Sequence, residues 1–425
     1  MQGMNLKEKK LNWSGILVVA ACFCMGFVCL GFCSSNKSLY LGAITEALGI
    51  KRSLFSINDS FRYVSTAVVN LFFGTLIAKF GPRKLVGAGF LCLIASTLIY
   101  ATATDVAVFY LGGTFLGIGL SWCTTTMVSY LVGKWYPEKR GTITGLALCA
   151  NGLGGALAAQ IITPIIDSSP FGYRHAYYLV VILLAVTGII ATILVKEPKD
   201  AKASGKKKAR GKSWEGITLQ EALRKPWFYG AAVCVFVTGM GLQGITGIAG
   251  THLKDVGIDG GLVASILSVH SIVLCGSKFL AGLGYDKLGL RKTLLICEFC
   301  GVCSFVALAL AGSSHTGVIF AFAWGALAAL ALPLETVMVP LIAADLFGEK
   351  DNARIMGIFV SVNTAGFAFG TPVANAIFDI AGTYVPVLYA IAVAMLAIMV
   401  GFWFIINATE KEQKRLAALK EENEV

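Results

Sequence analysis

Long apolar blocks separated by short polar segments recur along the whole chain. Each block has about 20 residues or more, which is the length that an α-helix needs to cross the ~30 Å hydrocarbon core of a bilayer. The blocks lie at approximately 14–38, 54–78, 85–104, 106–132, 141–166, 175–195, 227–250, 260–283, 293–311, 317–343, 355–378 and 384–407. This pattern predicts an all-α membrane protein with twelve transmembrane helices.

The composition agrees with that pattern and excludes several classes of protein. Hydrophobic residues make up 56% of the 425 residues and charged residues only 14%, whereas soluble domains carry roughly a quarter charged residues. The 12 cysteines all lie in the apolar blocks, which argues against a disulfide framework. The sequence contains no nucleotide-binding loop, metal box or nucleophile elbow. We therefore expect no metal, no cofactor and no enzymatic activity.

The net charge of +11 is distributed unevenly along the chain. If consecutive blocks cross the membrane in alternate directions, the termini and the loops of one side hold 28 of the 35 Lys and Arg residues. Because cytoplasmic loops are rich in Lys and Arg, both termini are predicted to be cytoplasmic. Ten of these cations lie in 196–225, a polar segment that favours attraction to anionic lipid over binding to nucleic acid.

The basic segment also divides the chain into two sets of six blocks. The predicted units are an N-terminal six-helix bundle at 1–195, a cytoplasmic basic linker at 196–225, a C-terminal six-helix bundle at 226–407 and a cytoplasmic tail at 408–425. Internal duplication of this kind is typical of transporters, in which two halves rock about a site near the middle of the bilayer.

A repeated loop supports the duplication. The segment GTLIAKFGPRK begins at Gly74, and the similar segment GLGYDKLGLRK begins at Gly282, 208 residues later. The glycines permit a tight turn between helices, and the cations suit a cytoplasmic surface. We interpret both copies as gating loops, with the candidate residues Gly74, Gly81, Arg83, Gly282, Asp286, Gly289 and Arg291.

The repeated loop resembles the Gly-x-Leu-x-Asp-(Arg/Lys)-x-Gly-x-(Arg/Lys) loop of the major facilitator superfamily. Asp286 keeps the acid of that pattern in the second copy, whereas Ala78 replaces it in the first. The segment KWYPEKRG from Lys134 to Gly141 is similar to the Lys-Trp-Phe-Pro-x-x-Arg-Gly of the monocarboxylate transporter and oxalate/formate antiporter branch. The resemblance implies the major facilitator fold and secondary active transport.

Ionisable residues inside the apolar blocks are candidates for function, because a charge in hydrocarbon is unfavourable. The six are Lys37, Asp59, Arg62, Lys278, Glu298 and Glu335. We expect Asp59 and Arg62 to form a structural pair and Glu298 to pack between helices. Lys278 and Glu335 lie at a similar depth, roughly 12 to 15 Å from the cytoplasmic surface, where they can pair.

The resemblance assigns roles to the two lysines. Lys37 looks like the branch's lysine in span one, and Lys278 occupies the position of an arginine in span eight. We therefore name Lys278 and Lys37 as substrate-binding candidates, and Glu335 or Lys37 as the proton-coupling group. Both lysines also have the alternative of extending to the nearest membrane surface. The neutral cavity candidates are Trp122, Asn151, Gln243, His270 and Asn363.

These residues indicate a secondary active transporter that moves a small organic anion by alternating access with proton symport. The expected cargo is a monocarboxylate such as lactate, pyruvate or formate. An organic-anion exchanger of the oxalate/formate type and a metabolite or drug efflux carrier stay open as alternatives. We expect a multi-pass protein of the cell membrane, most simply the bacterial inner membrane, that is monomeric and has the anion, the proton and the lipid bilayer as its partners.

Overall fold

The computed structural model describes residues 13–35, 37–50, 52–198 and 216–423, and the regular elements in these ranges are helices. The first eight α-helices are α1 (Trp13–Met25), α2 (Lys37–Leu48), α3 (Arg52–Leu71), α4 (Phe73–Thr102), α5 (Val106–Cys123), α6 (Thr125–Trp135), α7 (Arg140–Asp167) and α8 (Gly172–Leu194). After the segment 199–215 come α9 (Leu219–Leu223), α10 (Pro226–Asp255), α11 (Gly260–Ala309), α12 (His315–Ala331), α13 (Val339–Phe347), α14 (Asn352–Ala381) and α15 (Val385–Asn423). Two π-helical segments, Gly26–Phe32 and Leu334–Met338, and a 3-10 turn, Pro137–Lys139, complete the set.

Within the described ranges, ten helical stretches are long and apolar enough to cross a membrane. The apolar blocks of the sequence predict twelve spans, and the difference has two sources. One stretch, Gly261–Ala309, has 49 residues and contains two predicted spans. Helix α3 covers another predicted span but is not among the ten, because Asp59, Arg62 and its other polar side chains lower its hydropathy.

Two glycines interrupt long helices at equivalent points of the sequence repeat. The backbone leaves helical geometry at Gly81 in α4 (φ 75°, ψ 162°) and at Gly289 in α11 (φ 82°, ψ 171°). A positive φ of this size strains residues that have a Cβ atom, which explains the glycine at both positions. The two breaks are 208 residues apart, the same offset as the repeated loop, and each separates two predicted spans.

A second pair of irregularities lies near the same offset. Helices α5 and α6 are separated at Thr124, whose φ of −129° and ψ of −135° are not helical. The corresponding stretch of the second half changes from α-helix to the π-helical segment Leu334–Met338 after Ala331. Leu332 lies 208 residues after Thr124 but keeps helical dihedral angles (φ −55°, ψ −26°). Helical geometry is therefore lost at Thr124 but not at the equivalent residue of the second half.

The first and second halves of the chain meet along two pairs of helices. Helix α7 packs against α11, and α3 packs against α14. Small residues allow the close approach: a Cβ atom on Gly141 would lie 2.6 Å from the Gly282 carbonyl oxygen, and one on Gly74 would lie 2.6 Å from the Arg354 Cα. Both contacts lie at the end of the bundle that carries the repeated loops, which we call the basic end.

The proposed linker and tail are partly visible. Most of the basic segment 196–225 lies outside the described residues, but Thr218 and Glu221 form a capping box at the start of α9. Helix α15 continues through Asn407, where the tail is predicted to begin, as far as Asn423. The last apolar block and the following polar residues are therefore one continuous helix.

Candidate functional site

Lys278 is a buried cation at the contact between the two halves. It lies in α11 and is only 4% exposed. Helix α7 approaches its backbone closely, since a Cβ atom on Gly145 would lie 3.1 Å from the Lys278 carbonyl carbon. One turn earlier, Cys275 lies against Gly152 of α7, at 3.1 Å from the position of a Cβ atom. Glycines at these two points therefore place the lysine between the halves.

Glu335 lies next to Lys278, on the π-helical segment Leu334–Met338. Its side chain is buried, and its Oε1 atom has no hydrogen-bond partner among the described residues. Lys278 and Glu335 interact electrostatically, but their charged atoms are not within 4 Å of each other in the described part of the chain. Short π-helical segments are frequent at functional sites. The extra residue in the turn changes the direction in which the side chains of the segment point.

One amide is hydrogen-bonded to the Glu335 backbone, and a second amide connects the two halves. Asn363 of α14 donates from Nδ2 to the Glu335 carbonyl oxygen at 3.3 Å. Gln243 of α10 donates from Nε2 to the hydroxyl of Tyr63 at 3.3 Å, and Tyr63 belongs to α3 in the other half. The Oδ1 atom of Asn363 is buried without a hydrogen-bond partner in the described residues, so it can accept a hydrogen bond from a ligand.

Arg62 is a second buried cation near these groups. Its guanidinium group lies 4.2 Å from the centre of the Tyr63 ring, and its Nη1 donates to the Ser34 hydroxyl at 2.8 Å. Asp59 lies 3.6 Å from Nε, as the sequence analysis expects for a structural pair. The neighbouring Ser35 donates to Asn151 of α7 at 2.7 Å.

These contacts form one central polar cluster with members from both halves. It consists of Ser34, Ser35, Arg62, Tyr63, Asn151, Gln243, Lys278, Glu335 and Asn363. The structure thus brings together six residues named from the sequence, namely Arg62, Asn151, Gln243, Lys278, Glu335 and Asn363. Sequence reasoning missed Tyr63, because its hydrogen bond with Gln243 depends on how α3 is rotated against α10.

Two other candidates, Trp122 and His270, pack away from the cluster, and the side chain of a third, Lys37, is not described. Trp122 lies in the first half, where its Cβ is 3.1 Å from the Cβ position of Gly89. His270 stacks on Trp324 at 5.6 Å between ring centres and contacts the Gly325 carbonyl oxygen at 3.0 Å, so it packs within the second half. Lys37 begins α2, but its side chain lies outside the part of the chain that the structure describes.

The gating candidates of the second loop contact the first half. The Asp286 carboxylate accepts hydrogen bonds from the backbone N–H groups of Gly141 at 3.0 Å and Thr142 at 2.7 Å. These groups belong to the first turn of α7, where N–H groups have no partner within their own helix. Arg291 instead donates to Asn407 and Glu410 of α15.

The equivalent position of the first loop has no carboxylate. Ala78 stands there and lines a cavity of about 210 Å³ together with Lys134, Glu349 and Arg354. Close by, Arg140 and Glu349 form an ion pair of 2.9 Å that connects the halves. The two copies of the loop therefore close the basic end by different contacts.

Comparison with known proteins decides the family. The family model of the Major Facilitator Superfamily matches residues 21–341 and 234–424. The chain belongs to the Major Facilitator Superfamily. It is thus a multi-pass membrane protein and a secondary transporter rather than an enzyme.

Relatives of this superfamily member are distant. It is 26% identical to "Uncharacterized MFS-type transporter YcxA" of Bacillus subtilis (strain 168), over 77% of this chain and 79% of that protein. It is 20% identical to the oxalate:formate antiporter of Oxalobacter formigenes, over 84% of this chain and 83% of that protein. The crystal structure of the transporter FucP in the outward conformation superposes with a TM-score of 0.71 at 16% identity, covering 92% of this chain and 99% of FucP. The superposition confirms the all-helical fold of the superfamily.

Proposed function

We propose that this superfamily member carries a small organic anion, a monocarboxylate such as lactate, pyruvate or formate, together with a proton. In this proposal twelve spans form two six-helix bundles, at 1–195 and 226–407, with both termini and the linker 196–225 in the cytoplasm of a bacterial cell. The central polar cluster is the transport site. The observation that carries the proposal is the buried pair of Lys278 and Glu335.

Lys278 supplies the positive charge that an anionic cargo requires. A carboxylate entering the bilayer loses its hydration, and a buried ammonium group offsets that cost by direct attraction. The Arg62 side chain belongs to the same cluster, on the other half, but Asp59 neutralises its charge. A cargo held between the halves is exposed to each side in turn when they rock.

Glu335 is proposed as the proton carrier. In the absence of cargo its carboxylate neutralises Lys278 across the gap between α11 and the π-helical segment. When Glu335 takes up a proton, Lys278 loses its neutralising partner and becomes available to the anion. Proton and anion therefore favour one another's binding, and by reciprocity each raises the affinity for the other.

Lysine at position 278 differs from the arginine that the resemblance implies for this position. A lysine offers one compact charge, whereas an arginine grips a carboxylate through two parallel hydrogen bonds. A single-point contact suits a small monocarboxylate. The oxalate:formate antiporter is the named relative with such a cargo, and its low identity supports only the chemical class.

Uptake of labelled lactate, pyruvate and formate into proteoliposomes tests the proposal. An inward proton gradient should drive uptake of at least one of these acids, and Lys278→Ala should abolish it. Lys254→Ala removes an exposed cation at the C-terminal end of α10 and should leave uptake unchanged. Uptake that requires an internal counter-anion and ignores the gradient would support the exchanger instead, and equal uptake by Lys278→Ala would contradict the site.

A further inference from the structure

A separate cavity of about 240 Å³ lies inside the first half of the chain. Its walls come from the end of the first π-helical segment and from α2, α3, α4, α5 and α8, all before the linker. Aromatic side chains dominate the lining, namely Phe32, Tyr40, Phe55, Tyr100 and Tyr177. None of the side chains of Lys278, Glu335, Gln243 and Asn363 lines it, so it is not part of the contact between the halves.

The aromatic walls are held by their own contacts. Tyr40 and Tyr177 stack with ring centres 4.2 Å apart, and the Tyr100 ring lies 5.5 Å from Tyr177. The Tyr100 hydroxyl donates to Asn58 Oδ1 at 2.9 Å. The rings are therefore positioned before any ligand arrives, and pre-formed, mostly apolar walls are typical of small-molecule sites.

The volume suits a single substituted aromatic ring. An engineered protein cavity of about 150 Å³ that is lined by apolar side chains binds benzene. The cavity here is larger, at about 240 Å³, and leaves room for a polar substituent.

The polar groups of the cavity indicate the charge of the ligand. Tyr40 is only 4% exposed, and its buried hydroxyl has no hydrogen-bond partner among the described residues. Asp59, the ionisable group of the lining that carries a charge at neutral pH, lies beside Arg62 at 3.6 Å. Within the described lining the paired charges cancel, so a ligand gains one hydrogen bond at Tyr40 and no net electrostatic attraction from these residues.

We infer that this cavity is a second ligand site, which binds a small uncharged aromatic molecule that carries one hydrogen-bonding group, such as a phenol. The site is distinct from the central polar cluster, although Asp59 lines the cavity and its partner Arg62 belongs to the cluster.

The test uses 4-fluorophenol as the probe and the full-length protein in lipid nanodiscs. Fluorine NMR line broadening reports binding, with 4-fluorobenzoate and 4-fluorobenzylamine as charged counterparts. Val180→Trp fills the cavity from α8, where Val180 is 2% exposed. Val186→Trp is the matched control, since Val186 lies on the same helix and is 53% exposed.

Native cysteines locate the bound probe in the wild-type chain without any substitution. Cys33 lines the cavity, Cys149 lies on α7 between Gly145 and Gly152, which contact α11 at Lys278 and Cys275, and Cys24 is exposed. Their rates of modification by methyl methanethiosulfonate are read by mass spectrometry with and without the probe. The probe should slow modification of Cys33 in a saturable way and leave Cys149 and Cys24 unchanged.

We expect saturable broadening of 4-fluorophenol, at least tenfold weaker binding to Val180→Trp, unchanged binding to Val186→Trp, and weaker protection of Cys33 by both charged probes. Equal binding to the two tryptophan variants, stronger protection of Cys33 by a charged probe than by 4-fluorophenol, or an unprotected Cys33 would overturn the inference. Protection of Cys149 instead of Cys33 would also overturn it, because the probe would then occupy the transport site. Since no step of this test measures uptake of a carboxylate, its outcome is independent of the proposed transport function.

Discussion

Removing the Asp286 carboxylate should loosen the basic end of the transporter. In the structure this carboxylate accepts hydrogen bonds from the Gly141 and Thr142 N–H groups across the contact between the halves. The substitution Asp286→Ala leaves both N–H groups to water. The first loop has Ala78 at the equivalent position and therefore lacks this carboxylate contact, so the other repeat does not compensate for the loss.

The size of the effect follows from the number of bonds. A hydrogen bond to a charged group contributes about 1.5 to 3 kcal/mol, and at a half-exposed position we take about 1 kcal/mol for each of the two. The closed arrangement therefore loses about 2 kcal/mol, which corresponds to a roughly 30-fold change in the equilibrium between closed and open states.

Amide hydrogen exchange measures this equilibrium directly. Exchange of a peptide that covers the first turn of α7 should become roughly 30-fold faster in Asp286→Ala, because the opening constant sets the exchange rate. Asp286→Asn keeps one acceptor oxygen and should lie between wild type and Asp286→Ala. The exposed neighbour Lys287 supplies the control, and Lys287→Ala should exchange like wild type. Unchanged exchange in Asp286→Ala, with the chain still folded, would refute the reasoning.

Two further predictions concern packing and pH. Gly145→Ala should lower the melting temperature measurably, because the added Cβ overlaps the Lys278 backbone and overpacking of this kind costs about 1 to 3 kcal/mol. Gly276→Ala, at a position where a Cβ atom meets open space, should melt like wild type, and equal melting of the two variants would contradict the packing. Hydrogen bonds from Thr218 lower the pKa of Glu221, so the charged cap stabilises α9 above the ordinary pKa of glutamate and is lost as the pH falls through the lowered value. The protection factors of the amides across 218–223, which correct for the slower intrinsic exchange at low pH, should therefore fall on acidification in wild type but depend less on pH in Glu221→Gln, and equal pH dependence in both would argue against the cap.

Much of the architecture is predictable because membrane helices leave strong one-dimensional signals. The apolar blocks predict helices that the structure contains, and the repeated loop marks the glycine breaks at Gly81 and Gly289. Those breaks are readable in advance because a tight turn between helices selects a residue without a Cβ. The break at Thr124 leaves no such signal, since nothing local distinguishes a threonine that ends a helix from one that continues it.

The candidate site is only partly predictable for a related reason. Depth along a helix places Lys278 and Glu335 at the same level, so their proximity follows from counting residues. The rotation of each helix decides the remaining members. His270 is polar and lies in an apolar block like Gln243, yet its helix directs it against Trp324 and Gly325 of the same half. Arg62 joins the cluster because its Nη1 atom reaches the Ser34 hydroxyl, 28 residues earlier in the chain, a contact that sequence spacing alone does not contain.

The most direct test of the account follows protons during anion entry. Proteoliposomes that contain the pH-sensitive dye pyranine receive external pyruvate, and protein-free liposomes correct for passive entry of the acid. The account predicts acidification of the lumen with wild type, no acidification with Lys278→Ala, and pyruvate exchange without acidification in Glu335→Gln. Pyruvate-dependent acidification by Glu335→Gln at the wild-type rate would contradict the central claim that Glu335 carries the proton and Lys278 the anion.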